Sequence, residues 1–355
     1  MSLIKNEWQK LFLRKSSWIM QLVLVVIVFL MALLMFFVRT TAGDDEFSKP
    51  VAQGVTQYYD EAGQPISENE YNSLISTKEG SKLNLKSETL SPKDSVTVLK
   101  AQKEMTSGKQ AKAELQKQID YYQVYADQGK VPMKSDFAPS GADFLSSLGS
   151  GASIATILVV IVASTIVASE FSGGTIKLLL TRPYSRSQIL ASKLAICVFY
   201  ALLTSVVLLL SAFAFSFMLG GDAYSLPVSA STGALNAYEL AFQMLGTNLI
   251  LMITFLSIAF LFSSVVRSQA LAVGVGIGVL FSGNIIAAIL PLAIEKYDWL
   301  KWLIFNLLNL NSLVSGSGIA GGLAMWQVIL GLFVYVALIL SLTFYIFKKR
   351  DVALS

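Results

Sequence analysis

Six stretches of this chain each come close to the length at which an apolar helix crosses a bilayer, and that restricts the fold more than any motif. A hydrocarbon layer of about 30 Å takes roughly 20 helical residues. The runs Ser17–Val38, Gly151–Ser169, Lys193–Leu219, Leu240–Val266, Ser268–Leu292 and Trp326–Phe347 approach that measure. Composition agrees, with 54% hydrophobic and 14% charged residues over 355 positions, against about 25% charged in an average soluble domain. The expected fold is all-α and integral to a membrane: six transmembrane helices with an extracytoplasmic helical domain between the first and second. The first run is too long for a signal-peptide core of about 7–15 residues and is read as an uncleaved span.

Lysine and arginine in the short connections set the expected orientation. With the N-terminus inside, the cytoplasmic side receives Lys5, Lys10, Arg14, Lys15, Lys177, Arg182, Arg186, Lys193, Arg267, Lys348, Lys349 and Arg350, the last three in the tail 348–355. The short outer connections hold only Lys296 and Lys301, each beside an acid, so every short loop obeys the positive-inside asymmetry. The long segment 39–144 carries both signs of charge and is translocated whatever its balance. It reads as a small helical domain. "SENE" from Ser67 and "SPKD" from Ser91 are helix starts. Ala111, Leu115, Ile119, Tyr122 and Ala126 share one helical face ending at Gly129, a stripe that suits packing in a bundle. Residues 1–16, "MSLIKNEWQKLFLRKS", set Ile4, Trp8, Leu11 and Phe12 against Lys5, Gln9 and Lys10, the pattern of an amphipathic helix lying on membrane lipids.

The connection 170–192 between the second and third spans interrupts the apolar chain with "EFSGGTIKLLLTRPYSRSQILAS". Gly173-Gly174 allows a turn, "TIKLLLTR" is too brief to span, Pro183 ends it, and "SRSQ" from Ser185 has the capping-box pattern that starts the next helix. Taken alone, this is equally a short helix lying below the membrane or an ordinary basic loop.

The residues Glu170, Gly174-Thr175, Lys177, Leu178 to Leu180, Pro183, Ser185-Arg186 and Lys193 resemble the corresponding connection in permeases of ATP-binding-cassette transporters of the type-2 exporter class. The amphipathic N-terminus, the six spans and the outer excursion between the last two, 293–325, resemble that class as well. The large domain 39–144 departs from its simpler members. The resemblance implies that Glu170, Gly174, Thr175, Lys177, Leu179, Arg182, Pro183, Ser185 and Arg186 couple to a nucleotide-binding ATPase subunit, with Glu170 and Arg186 as surface groups contributing little to stability. It further implies a second permease copy or paralogue, ATP and magnesium on the partner ATPase and no cofactor on this chain. The location it implies is a multi-pass one in a bacterial plasma membrane with both termini cytoplasmic. The substrate expected is amphipathic or hydrophobic: an antimicrobial peptide, a drug or a lipid-like molecule.

Other functions find less support. The chain has no histidine and one cysteine, which removes the commonest acid–base catalyst and metal ligand. No phosphate-loop pattern occurs, since "TSGKQA" at Thr106 lacks the first glycine at the right spacing and the hydroxyl after the lysine. The spans lack acids and bases except at their ends, which argues against an intramembrane hydrolase and against ion-coupled transport. The net charge of +4 is absorbed by topology and does not argue for nucleic acid. The chain is therefore expected to be a transporter subunit and not an enzyme. The alternative is a membrane-embedded sensor or scaffold that binds a peptide through its outer domain and recruits a cytoplasmic partner. Within the spans, Gly274, Gly276, Gly278 and Gly283 open one flank of the fifth, and Gly274 and Gly278 have the spacing for close helix approach, inside the chain or between subunits. Gln243, Asn248 and Asn284 are either interhelical hydrogen-bonding groups or polar residues of a translocation path. The run "WLKWLIFNLL" in 293–325 reads as interfacial or re-entrant, a lid over the outer exit.

Overall fold

The computed structural model describes residues 3–41, 51–76, 85–134, 139–148, 151–175, 184–220, 223–266 and 268–349. It is an all-α membrane protein with six helices long and apolar enough to span a bilayer. In chain order the α-helices among the described residues are α1 (Leu3–Phe12), α2 (Lys15–Thr41), α3 (Glu68–Ser76), α4 (Pro92–Met105), α5 (Lys109–Asp127), α6 (Gly141–Ser146), α7 (Ala152–Ser172), α8 (Arg186–Leu219), α9 (Ala237–Val265), α10 (Gln269–Ile294), α11 (Ile304–Leu307), α12 (Leu310–Val314) and α13 (Met325–Lys349). The six spanning helices are α2, α7, α8, α9, α10 and α13. The chain divides into two compact units, Met1–Leu33 with Phe144–Met218 and Leu240–Ser355, and Leu34–Asp143 with Leu219–Glu239.

Helix starts in the spanning unit follow local chemistry. At α8 the Ser185 N–H donates to Gln188 Oε1 at 3.0 Å and the Gln188 N–H returns to Ser185 Oγ at 3.3 Å, the reciprocal box that the sequence predicts. This helix begins at Arg186, about two turns before the third apolar run, and carries Lys193 inside its first turns. Helices α7 and α10 pack closely because Gly276 has no side chain: a Cβ there would lie 2.5 Å from Ser164 Oγ and 3.0 Å from Val160 Cγ1. Polar groups inside the bundle find partners across helices. Gln21 Nε2 donates to Thr204 Oγ1 at 2.8 Å, and Ser263 Oγ accepts from the Val167 and Ala168 N–H groups at 3.2 and 3.1 Å.

Between α10 and α13 the chain folds into a 3₁₀ turn, Asp298–Trp302, followed by α11 and α12. Leu307 and Leu310 are fully buried with Leu251 of α9 and with Val328 and Leu332 of α13. Leu332 lies about two turns, or about 10 Å, inside α13, so the segment dips in among the spans and returns. Gly331 makes this approach feasible, since a Cβ there would lie 2.7 Å from Leu307 Cδ1. The buried Asn306 ties the dip together, its amide donating to the carbonyls of Lys301 (2.8 Å) and Ala320 (3.0 Å).

The second unit, called the insertion here, is built on α4 and α5, which pack on each other across the turn at Gly108. Ser91 caps α4 ahead of Pro92, and Ser67 Oγ accepts from the Glu70 N–H at the start of α3, both as the sequence predicts. The insertion also contains two small antiparallel sheets that the sequence reading did not include. One pairs β1 (Val51–Ala52) with β5 (Met133–Lys134); the other orders β3 (Pro65–Ile66), β2 (Thr56–Tyr59) and β4 (Lys86–Thr89) with β2 central. Its core gathers Val96, Leu99, Ile119, Tyr121, Tyr122 and Tyr125 with Leu226, which comes from the connection between α8 and α9. The Tyr125 hydroxyl donates to the Pro227 carbonyl at 2.9 Å, fastening that connection to α5.

Candidate functional site

Helix α7 ends at Ser172, Gly174 takes a positive φ of 69°, and α8 begins again at Arg186. Of the residues assigned to coupling, Lys177, Leu179, Arg182 and Pro183 lie outside the described residues. Gly174, Thr175, Ser185 and Arg186 flank that gap. Ser185 is spent on capping α8, and Arg186 Nη1 donates to the Lys348 carbonyl at the end of α13 at 3.4 Å.

Glu170 departs from its expected role as an exposed contact. It is only 8% exposed, and its Oε1 accepts from Lys193 Nζ at 2.7 Å and from Lys10 Nζ at 3.0 Å. Glu7 completes a ring, with Oε2 on Lys193 Nζ at 2.9 Å and Oε1 on Lys10 Nζ at 3.0 Å. Lys193 is 2% exposed, and its ammonium also lies 3.4 Å from the Ile166 carbonyl. Two carboxylates and two ammoniums alternate around this ring, so it is neutral as a whole. That alternation is what makes burial tolerable, because an unpaired ion in a dry site is strongly disfavoured.

Three elements supply the ring. Helix α1 carries Glu7 and Lys10 one turn apart on a single face, α7 delivers Glu170 from its last turn, and α8 delivers Lys193 from its second or third turn. Aromatic packing holds α1 beside them: Trp8 stacks on Phe12 (centroids 4.4 Å) and meets Phe199 of α8 at 4.3 Å. The Trp18 indole donates to the Phe12 carbonyl at 2.8 Å, which fixes the corner between α1 and α2. Burial pushes the Glu7 carboxyl up, but the ammoniums of Lys193 and Lys10 outweigh it and leave its pKa lowered. Burial likewise opposes the charge on Lys10, and hydrogen bonds to Glu7 and Glu170 overcome it, so its pKa is raised. Beside the ring lies a cleft of about 60 Å³ lined by Glu7, Lys10, Arg14, Glu170 and Lys193. Glu170 Oε2 is buried with no hydrogen-bond partner among the described residues, and a cleft of this size has room for a water molecule.

The other sequence-predicted residues do not join this site. Gly274 and Gly278 leave open space where a Cβ would stand, whereas Gly276 between them makes the close contact with α7. Gln243 is exposed on α9, and Asn248 is buried there with its Nδ2 unpartnered among the described residues. Asn284 lies on α10, its side chain outside the described residues. Among the described residues no cluster suited to a metal ion is present. Sequence reasoning missed Glu7 altogether, and it took Lys10 as a polar-face and topology residue and Lys193 as a topology residue and the end of the exporter-like stretch, not as buried counter-ions. The available clue was the single acid of residues 1–16, one helical turn from Ile4 and Leu11 of the apolar side and three residues before Lys10.

A family profile described as a protein of unknown function (DUF2705) matches residues 115–353. The uncharacterized protein YhcI of Bacillus subtilis (strain 168) is 32% identical over 207 residues, covering 56% of this chain and 64% of that protein. The chain thus matches just under two thirds of that relative's length. The uncharacterized membrane protein YdbK of the same organism is 28% identical over 196 residues, covering 55% of this chain and 76% of its own. The profile match contains Glu170 and Lys193 and begins well after Glu7 and Lys10.

Proposed function

This chain belongs to the DUF2705 family, and we propose that it is the membrane-spanning permease subunit of an ATP-driven exporter. ATP and magnesium act on a separate nucleotide-binding chain, which engages the connection between α7 and α8. A second permease copy or paralogue completes the path for an amphipathic or hydrophobic substrate. The assembly sits in a bacterial plasma membrane with both termini of this chain cytoplasmic.

The observation that carries this reading is the 2.7 Å contact between Glu170 and Lys193. These are the first and last residues of the stretch that resembles the type-2 exporter connection, and they close it at its base. A force applied to the intervening residues reaches α7 and α8 together, and through Glu7 and Lys10 it also reaches α1. Glu170 and Lys193 are accordingly positioning residues, and direct contact with the ATPase falls to the residues between them and to Arg186. A joint that ties three helices together passes a displacement imposed by the partner to all of them at once.

The test is co-expression with an ATPase encoded beside the gene, followed by affinity purification through this chain. An associated ATPase is expected, with recovery reduced by Lys177→Ala and Arg182→Ala while membrane insertion is unchanged. Absence of any associated ATPase, or full recovery and hydrolysis with both substitutions, would overturn the proposal.

A further inference from the structure

The insertion holds a cleft of about 540 Å³ between β2, the start of α3, and the helices α4 and α5. This lies within the range of about 300–1,000 Å³ typical of small-molecule sites. Its lining is mainly polar. Gln57 and Tyr58 come from β2, Gln102 from α4, and Gln118 and Tyr122 from α5. Glu68 is the one charged side chain among the described lining residues, and no lysine or arginine joins it.

The chemistry of this set narrows the ligand. A primary amide offers two donors and an acceptor without charge, so Gln102 and Gln118, with Gln57, whose amide also donates to the Tyr58 carbonyl at 3.2 Å, match hydroxyl and amide groups in many orientations. Tyr58 and Tyr122 add aromatic surface and hydroxyls, and the Tyr58 ring is steadied against Tyr71 at a centroid distance of 4.5 Å. Phosphate or carboxylate ligands would meet only Glu68, a like charge. A peptide adding itself as a strand needs a free backbone edge; at Tyr58 both edges are taken, by Ile66 of β3 and Ser87 of β4, so recognition there rests on its side chain.

We infer that this cleft binds a neutral saccharide carrying hydroxyl and acetamido groups. The site is independent of the permease reading. Ala230 also lines it, and that residue belongs to the connection that runs directly into α9, so occupancy touches a segment continuous with a spanning helix.

The probe is N,N′-diacetylchitobiose, titrated into the full-length protein in nanodiscs and followed by ligand-observed NMR and calorimetry. Saturable binding in the millimolar range or tighter is expected. Gln102→Ala and Gln118→Ala should each weaken it about 2- to 10-fold, the range for losing one hydrogen bond, and Thr97→Ala, an exposed change on α4 outside the cleft, should not. Gln102 is exposed, so its substitution decides the matter even if Gln118→Ala disturbs folding. No saturable binding, or binding indifferent to Gln102→Ala, overturns the inference. Equal competition by trialanine overturns the saccharide class in favour of a peptide.

Discussion

Lys193→Met removes the central cation of the buried ring and isolates its contribution. Lys193 is 2% exposed and contacts both carboxylates, at 2.7 and 2.9 Å. Without it Glu7 and Glu170 face each other with only Lys10, 39% exposed, to balance them. Removing one partner of a buried ion pair costs about 3–5 kcal/mol, because the charge left behind has lost its water and gained nothing. A domain of 150–250 residues loses about 2–4 °C of Tm per kcal/mol, so a fall of about 6–20 °C is expected for the purified protein in a fixed detergent. The first element released should be α1, held then by its aromatic packing and the half-exposed Lys10–Glu170 contact, and its backbone amides should exchange faster well below the melting temperature. A Lys193→Met protein melting within experimental error of wild type, with α1 exchange unchanged, would refute the reasoning.

Three further outcomes are expected. Gly276→Leu forces a side chain onto Ser164 and Val160 and should destabilise by about 1–3 kcal/mol or more, whereas Gly278→Leu should leave the monomer's melting within about 0.5 kcal/mol; the reverse order would refute the assigned packing. Burial raises the phenol pKa of Tyr121, Tyr122 and Tyr125 above the ordinary 10.0. Stability from these groups is complete below pH 10 and falls as pH rises from there through their raised values, because the unfolded chain releases these protons first. The tyrosinate signal of these three residues, taken as the difference from variants carrying Phe at each in turn, should therefore rise together with unfolding of the insertion, and a rise of that difference signal at the ordinary value without unfolding would count against it. In a Cys197→Ala background, a cysteine at Glu88 should be labelled from outside intact cells and one at Ser187 should not; labelling of both from one side would exclude the proposed topology.

The spans and their caps were legible because hydrocarbon length and helix-end chemistry are local. Ser67, Ser91 and Ser185 each satisfy donors within the next turn, and no distant residue is needed to recognise that. The ion ring was not legible, since Glu7 and Glu170 are 163 positions apart, as the numbering shows, and only the folded bundle makes them neighbours. Lys193 misled for a related reason: at the head of an apolar run a lysine serves equally as a lipid-facing anchor or as a buried counter-ion, and only packing distinguishes these. In the fifth span Gly274 and Gly278 have the four-residue repeat and face open space, whereas the close contact with α7 within the chain is made at Gly276, a distinction that spacing alone does not carry. The small strands escaped notice because runs of two to four residues carry too little alternation to stand out.

Pro227 and Leu226 complete the core around Tyr125, yet the ribosome makes them 227 − 143 = 84 residues after the continuous part of the insertion ends at Asp143. At about 5–20 residues per second, that part waits about 4–17 s, during which two further hydrophobic helices must be threaded into the bilayer. For that interval the tyrosine cluster lacks one wall and exposes apolar surface to whatever surrounds it. Maturation of the insertion is thus timed by membrane integration of α8, and a substitution that slows that step should show itself first as proteolysis or chaperone capture of the insertion, many residues away from the change.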